Sequence, residues 1–169
     1  MHFNENIMKL KLGEKLPVAE FFYLDKESNI KKIKSSELFK DRKLIIIGVP
    51  GAFTKVCSAH HLPGYIKNYD EAEKKGITKI ICVSVNDPNV MNAWGEKLKI
   101  QDKIFMAADP FCEFTKLIGA SVDKSAKGLG IRSERYSMYV ENGIMKKVKV
   151  EADTAHCEIS AAENFLKEI

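Results

Sequence analysis

The sequence predicts an α/β fold in which helices cover both faces of a central mixed β-sheet. Apolar runs typical of buried strands alternate with helical patterns, and a strong hairpin signal and a last amphipathic segment follow them. The 169 residues, 45% of them apolar, are enough for one well-packed core. We therefore expect a single domain over residues 1–169.

The N-terminal part predicts a hairpin, a short helix and a buried strand. Apolar side chains at 20–24 and 30–33 flank a polar turn, which is typical of a β-hairpin. Ser35 or Ser36 offers the N-cap of a short helix. The apolar run 44–49 predicts a buried central strand.

The helix after this strand is expected to carry Cys57 near its start and to continue to Lys74. Pro63 and Gly64 should kink or interrupt it, because proline lacks the N–H that a helix interior requires. Gly76 is expected to end the helix, since glycine readily adopts the left-handed conformation of a C-terminal cap.

The next segments predict a second strand over 79–85 and a helix that starts at Asp87-Pro88. The apolar face of that helix consists of Val90, Trp94 and Leu98. A third strand over 104–107 and a short helix over 111–118 follow.

The C-terminal part predicts a hairpin and a final helix. Strands over 136–141 and 144–150 flank Asn142-Gly143, a strong short hairpin signal. The apolar face of the final helix consists of Ile159, Ala162, Leu166 and Ile169.

Charge and hydropathy exclude several classes of function. The net charge of +4 is small and dispersed, so we expect no nucleic-acid partner. No run of about eighteen apolar residues is present, so we expect no membrane span. Residues 1–6 lack the basic and then apolar order of a secretory signal.

Four cysteines are spread along the chain without a Cys-x-x-Cys pair: Cys57, Cys82, Cys112 and Cys157. This spacing favours neither a disulfide scaffold nor a zinc site, and we expect no metal and no cofactor. Free cysteines indicate a reducing intracellular compartment. The cytoplasm is the expected place, or an organelle if a targeting leader has been removed.

Cys57 is the candidate reactive thiol. A helix start after a buried strand offers unpaired N–H groups and a positive dipole end, both of which favour thiolate over thiol. Thr54, one turn earlier, can point its hydroxyl at the sulfur or at a bound oxygen. Pro50 has no N–H and can shield the thiol from solvent. A buried structural cysteine at a turn is the alternative.

These residues resemble a known family. The pattern Pro-x-x-x-Thr-x-x-Cys, formed by Pro50, Thr54 and Cys57, is similar to the active-site motif of peroxiredoxins. The longer string from Pro50 to Tyr65 resembles the type II, or peroxiredoxin-five, subfamily. Further blocks at 82–94 and 128–138 are similar to other parts of that subfamily, so the resemblance extends over nearly the whole chain.

The resemblance implies a thioredoxin-like fold with an N-terminal β-hairpin extension. It also implies a peroxidase that reduces hydrogen peroxide and organic hydroperoxides through a sulfenic acid on Cys57, in antioxidant defence and cell redox homeostasis. Thr54 would bond the peroxide and the sulfur. The family arginine falls on Arg135, with Arg132 as the competing candidate.

The reducing partner is less defined. Cys82 and Cys157 are the candidate resolving cysteines, but Cys82 lies in a predicted strand and Cys157 misses the subfamily position by two residues. We therefore expect a one-cysteine mechanism, with glutathione, glutaredoxin or thioredoxin as reductant. The resemblance also implies a homodimer. Lys55 stands where the family often has proline.

Alternative functions have weaker support. A tyrosine-phosphatase loop requires arginine six residues after the cysteine, and Pro63 occupies that place. A phosphate-binding loop lacks its Gly-Lys-Ser/Thr ending. A non-catalytic thioredoxin-like binding module is supported by the fold alone. His61 matches the subfamily. Packing or capping is its expected role, and an effect on the electrostatics of the site is the alternative.

Overall fold

A computed structural model describes residues 10–40 and 42–169; residues 1–6, which lack the order of a secretory signal, lie outside them. The strands are β1 (Glu20–Leu24), β2 (Ile30–Lys34), β3 (Lys43–Val49), β4 (Lys79–Ser84), β5 (Ile104–Ala108), β6 (Ser121–Asp123), β7 (Ile131–Ser133), β8 (Tyr136–Glu141) and β9 (Ile144–Val150). The helices are α1 (Ser35–Leu38), α2 (Leu62–Lys67), α3 (Tyr69–Lys74), α4 (Pro88–Leu98), α5 (Glu113–Leu117) and α6 (Ala162–Phe165).

Within that described part, a seven-stranded mixed sheet has the order β2-β1-β5-β4-β3-β8-β9. Strands β3, β4 and β5 are parallel, whereas β8 pairs antiparallel with β3 and with β9. The β1–β2 hairpin extends the sheet at its other edge, through one pairing of β1 with β5. These pairings confirm the predicted mixed sheet and its N-terminal hairpin.

The core lies on both faces of the sheet. In β3, Leu44 and Ile46 belong to one buried cluster, and Ile45 and Ile47 belong to the other. Because successive side chains of a strand point to opposite faces, a strand covered on both sides is apolar throughout. Cys57 is part of the second cluster, so the candidate thiol lies against the sheet and away from the protein surface.

The segment around Cys57 departs from the expected helix. Helical residues begin at Lys55, and Cys57–His61 form a π turn in which the Leu62 N–H bonds the Cys57 carbonyl. Pro63 then lies in the first turn of α2, where its missing N–H is tolerated. The expected interruption at Pro63 and Gly64 was therefore wrong, and the break falls later.

Asn68 separates α2 from α3 and bonds the Gly64 carbonyl through its side-chain amide, at 2.8 Å. In the π turn the Leu62 N–H bonds five residues back, to Cys57, so the i→i−4 pattern has already changed where Pro63 follows. The predicted end at Gly76 is confirmed, since this residue has a φ of 87° directly after the helix.

Two capping predictions have opposite outcomes. The Asp87 carboxylate accepts the Val90 N–H at 3.0 Å and caps α4 as predicted. Neither serine caps α1, because the helix begins at Ser35 itself. The Ser35 hydroxyl instead accepts the Ala19 N–H and donates to the Pro17 carbonyl, which fastens the chain entering β1.

The C-terminal helix is shorter than predicted. It spans Ala162–Phe165 and continues as a 3-10 turn over Leu166–Glu168, while Ile159 is 41% exposed and lies outside it. The preceding residues form a loop, 151–161, that is held by side-chain contacts to its own backbone. The other predicted elements lie within about two residues of their observed bounds.

No helix in residues 10–40 and 42–169 is long and apolar enough to cross a membrane.

The small β6–β7 sheet was not predicted. Its three-residue strands are joined through a 3-10 turn at Ser125–Lys127, and they shortly precede Arg135 at the start of β8. The carboxyl end of β3, the π turn and the start of β8 lie together at the same end of these neighbouring strands.

Candidate active site

The Cys57 sulfur is fully buried and faces a hydroxyl group. Thr54 Oγ1 lies 2.9 Å from Cys57 Sγ and 2.7 Å from the Gly51 carbonyl oxygen. Since a hydroxyl carries one hydrogen, Thr54 donates it to either the sulfur or the carbonyl at a given moment. Rotation of this hydroxyl lets Thr54 respond to the charge on the sulfur.

The backbone around Cys57 also favours negative charge. Helical structure begins at Lys55, and the first intrahelical bond runs from the Ser58 N–H to the Thr54 carbonyl at 3.0 Å. Cys57 thus lies in the first turn, where N–H groups lack intrahelical acceptors. The Trp94 indole N–H donates to the Ser58 hydroxyl at 2.9 Å and fixes this turn against α4.

Arg135 brings a buried positive charge to the sulfur. It directly precedes β8, is 1% exposed, and donates from Nη2 to Cys57 Sγ at 3.1 Å. Its Nε and Nη2 also donate to the Thr154 carbonyl at 3.1 and 3.0 Å. The guanidinium is therefore held in one plane beside the sulfur, an arrangement that stabilises thiolate.

His61 contacts the other side of the guanidinium, with its Nδ1 3.1 Å from Arg135 Nη1. Complete burial, together with the charge of Arg135, lowers the pKa of His61 to about 3. The imidazole is therefore neutral near pH 7. Because arginine only donates, Nδ1 is the acceptor, and the proton lies on Nε2, 3.2 Å from Ser137 Oγ.

A chain of buried hydroxyls continues from His61. Ser137 Oγ donates to the Ser160 carbonyl at 2.6 Å, and the Tyr65 hydroxyl lies 2.7 Å from Ser137 Oγ. Burial raises the pKa of Tyr65, so this hydroxyl stays protonated and serves as a donor. The network connects the π turn, β8 and the 151–161 loop behind Arg135.

Arg132, the competing arginine, contacts the turn and not the sulfur. Its Nε donates to the Leu129 carbonyl at 2.8 Å, and its Nη1 donates to the carbonyl of the buried Pro50 at 3.1 Å. A Cβ added at Gly51 would lie 2.5 Å from Arg132 Nη1, so any side chain at this position would displace the guanidinium from the turn. Arg132 thus braces the turn that precedes Cys57.

The remaining cysteines are free and differ in environment from Cys57. Burial, and then the proximity of Cys57, raises the pKa of Cys82, which lies inside β4. Burial also raises the pKa of Cys112 at the start of α5. Cys157 is partly buried in the 151–161 loop, and its pKa is raised to about 11, chiefly by burial.

Sequence reasoning missed part of this arrangement. His61 was expected to pack or cap, but it bonds Arg135. The signal in the sequence is its four-residue spacing from Cys57 on a helical segment, which places the two side chains on the same face. Backbone acceptors such as the Thr154 carbonyl leave no mark in a sequence. Within residues 10–40 and 42–169, no cluster of three metal-ligating side chains is present.

Comparisons with known proteins show what this chain is similar to in sequence. The sequence model of the Redoxin family matches residues 11–166. The mitochondrial peroxiredoxin-2F of Arabidopsis thaliana is 46% identical over 134 residues, which cover 79% of this chain and 67% of that protein.

Two solved structures are similar over nearly their whole length. Reduced Prx3 of Vibrio vulnificus in complex with H2O2 has a TM-score of 0.88 and 41% identity, covering 94% of this chain and 98% of its own. The Plasmodium falciparum antioxidant protein, a 1-Cys peroxiredoxin, has a TM-score of 0.88 and 30% identity, covering 95% and 100%. These likenesses confirm the thioredoxin-like fold.

Proposed function

Because this chain belongs to the Redoxin family and is a peroxiredoxin, a thiol-dependent peroxidase, we propose that Cys57 is the sulfur that the hydroperoxide oxidises. The observation that carries this proposal is the pair of donors on its sulfur, the Arg135 guanidinium at 3.1 Å and the Thr54 hydroxyl at 2.9 Å. Among the four cysteines, no other sulfur has a guanidinium donor.

The reaction follows from these contacts. The Cys57 thiolate attacks the terminal oxygen of ROOH, an S–O bond forms, the O–O bond breaks, and the products are a sulfenic acid and RO⁻, which takes up a proton to give ROH. Negative charge moves from sulfur to the leaving oxygen. The fixed Arg135 guanidinium stabilises that charge without reorganisation, and the Thr54 hydroxyl follows the charge by rotation. Pro50 shields the sulfur from water.

The raised pKa values of the other thiols favour a one-cysteine cycle, in which no second cysteine of the chain attacks the sulfenic acid. The attack of a resolving cysteine on sulfenic acid requires a thiolate, and the pKa of about 11 keeps Cys157 protonated at neutral pH. Cys82 lies within β4, and burial raises the pKa of its thiol as well. An external thiol therefore forms a mixed disulfide with Cys57, releasing water, and a second thiol restores the cysteine. Glutathione, glutaredoxin or thioredoxin fits this role.

The proposal also includes the compartment of the enzyme and its oligomeric state. Such thiol reductants require a reducing compartment within the cell, and the relatives include mitochondrial and chloroplastic peroxiredoxins. Phe53, in the turn before Cys57, and Ile131, in β7, are exposed apolar side chains on two segments that Arg132 joins beside the site. They support a homodimer that packs there. Sedimentation of the reduced protein measures that assembly.

Intact mass after one equivalent of peroxide tests the proposal. We expect the gain of one oxygen atom, trapped by dimedone at Cys57, both in the natural chain and in Cys157→Ser. A loss of two hydrogens, abolished in Cys157→Ser or Cys82→Ala, would overturn the one-cysteine cycle. A dimedone adduct located on a cysteine other than Cys57 would overturn the assignment of the nucleophile.

Thr54 offers a test of the hydroxyl. Thr54→Val keeps the shape of the side chain but removes the donor to Cys57 Sγ, and we expect about a 10²-fold slower peroxide reaction. Thr54→Ser keeps the hydroxyl and is expected to retain most of the rate. Stopped-flow peroxide consumption measures both, and equal rates for the valine and serine variants would contradict a role for the hydroxyl.

A further inference from the structure

Glu151, directly after β9, is a buried carboxylate without an assigned role. It is 3% exposed, and its Oε2 accepts the Glu158 N–H at 2.8 Å, the Ser160 N–H at 2.8 Å and the Ser160 hydroxyl at 2.6 Å. Hydrogen bonds to a buried carboxylate are strong, and losing the acceptor leaves buried donors unpaired. The carboxylate thus closes residues 151–160 into a loop.

Two carbonyls of this closed loop face the candidate active site. The Thr154 carbonyl accepts both Nε and Nη2 of Arg135. The Ser160 carbonyl accepts the Ser137 hydroxyl, which in turn contacts His61. The backbone of Glu151 is itself fastened to Arg135, since its N–H donates to the Arg135 carbonyl at 2.9 Å.

The geometry points to Glu151 as a positioning residue for peroxide reduction, which acts by holding the Thr154 carbonyl against the Arg135 guanidinium. This inference rests on the proposed roles of Cys57 and Arg135. Arginine has a long side chain with considerable rotamer freedom, and a fixed acceptor on its Nε edge determines where Nη2 points. Among the described residues, the Glu151 carboxylate bonds only Glu158 and Ser160, and neither the Cys57 sulfur nor the Arg135 guanidinium, so its effect on the sulfur must pass through the loop and Arg135.

Two substitutions separate the acceptor from the charge. Glu151→Ala opens the loop, and we expect the reaction with peroxide to slow by about 10-fold to 10²-fold, the size of effect that small misplacements produce. Glu151→Gln keeps an acceptor oxygen in the same place and is expected to restore most of the rate. Equal losses in the alanine and glutamine variants would contradict positioning by this contact.

Asp109 provides a matched control. It is 1% exposed, and its carboxylate accepts the Phe114 N–H, the Thr115 N–H and the Thr115 hydroxyl, with no hydrogen bond to Arg135 or to the 151–161 loop. Asp109→Ala is expected to lower stability as Glu151→Ala does but to leave the reactivity of Cys57 unchanged. A purely structural role for Glu151 predicts the same behaviour in both variants.

The decisive readout is Cys57 alkylation by iodoacetamide across a pH series, together with peroxide stopped flow, on folded protein checked by circular dichroism. We expect Glu151→Ala to shift the alkylation profile to higher pH, as Arg135→Lys does. The shift in the double variant should be smaller than the sum of the two single shifts, because Glu151 acts through Arg135. An unshifted profile in Glu151→Ala, or fully additive effects, would overturn the inference.

If Glu151→Ala does not fold, Ser160→Ala removes one donor and leaves the carboxylate in place. The expected result is a smaller shift in the same direction, and no shift would overturn the inference. Alkylation does not depend on peroxide chemistry. An unshifted alkylation profile therefore counts against positioning by Glu151. The proposed function fails on a different result, which is undiminished peroxide consumption by a chain without Cys57.

Discussion

Replacing Arg135 with lysine is expected to slow the reaction of the reduced protein with peroxide by about 10²-fold to 10³-fold. The guanidinium contacts Cys57 Sγ, His61 Nδ1 and the Thr154 carbonyl at once, in directions that its planar fork provides. An ammonium group on a flexible stem cannot serve these acceptors together. Stopped-flow kinetics under single-turnover conditions measures the loss.

Arg132→Lys is the matched control, because Arg132 lies in the nearby strand β7 and contacts Pro50 instead of the sulfur. Its loss should be no more than several-fold. If Arg132→Lys slows the reaction more than Arg135→Lys does, the charge partner of the thiolate has been assigned to the wrong arginine.

The free energy of unfolding is expected to decrease as the pH is lowered, because of His61. The pKa of His61 is lowered to about 3 in the folded protein and is near 6.5 in an unfolded chain. Between these values the unfolded chain binds the extra proton, so the free energy of unfolding decreases as the pH falls. The full effect, reached below about pH 3, is about 5 kcal/mol.

Urea unfolding at a series of pH values tests this linkage against His61→Asn, which keeps an acceptor for Arg135. Between about pH 7.5 and pH 5, the natural chain should lose about 2 kcal/mol more than the variant. His60→Asn, at the exposed neighbouring histidine, should behave like the natural chain. Parallel curves for the natural chain and His61→Asn would contradict a buried neutral imidazole.

Patterns in the sequence predict most of the sheet because they reflect burial. The continuous apolar run of β3 and the Asn142-Gly143 turn between β8 and β9 depend on local chemistry alone. The π turn at Cys57–His61 was missed, since its wider hydrogen bonding depends on contacts such as that of Ser58 with Trp94, 36 residues away. The short β6–β7 pair lacks any apolar period.

The candidate site was predictable where residue type carries the chemistry. Cys57 and Thr54 are three residues apart on one helical turn, so their contact follows from local spacing. The meeting with Arg135 depends on the pairing of β8 beside β3, and only the family resemblance indicated it. His61, Glu151 and the Thr154 carbonyl were not predicted because their contribution arises from burial and backbone direction in the folded chain.

The most direct test of the central role of Cys57 compares two complementary variants in stopped flow with hydrogen peroxide. One variant keeps Cys57 alone, through Cys82→Ala, Cys112→Ala and Cys157→Ser. The other carries only Cys57→Ser. We predict that the first, once reduced, consumes one equivalent of peroxide at nearly the natural rate and that the second does not react. Rapid consumption by Cys57→Ser would contradict the account.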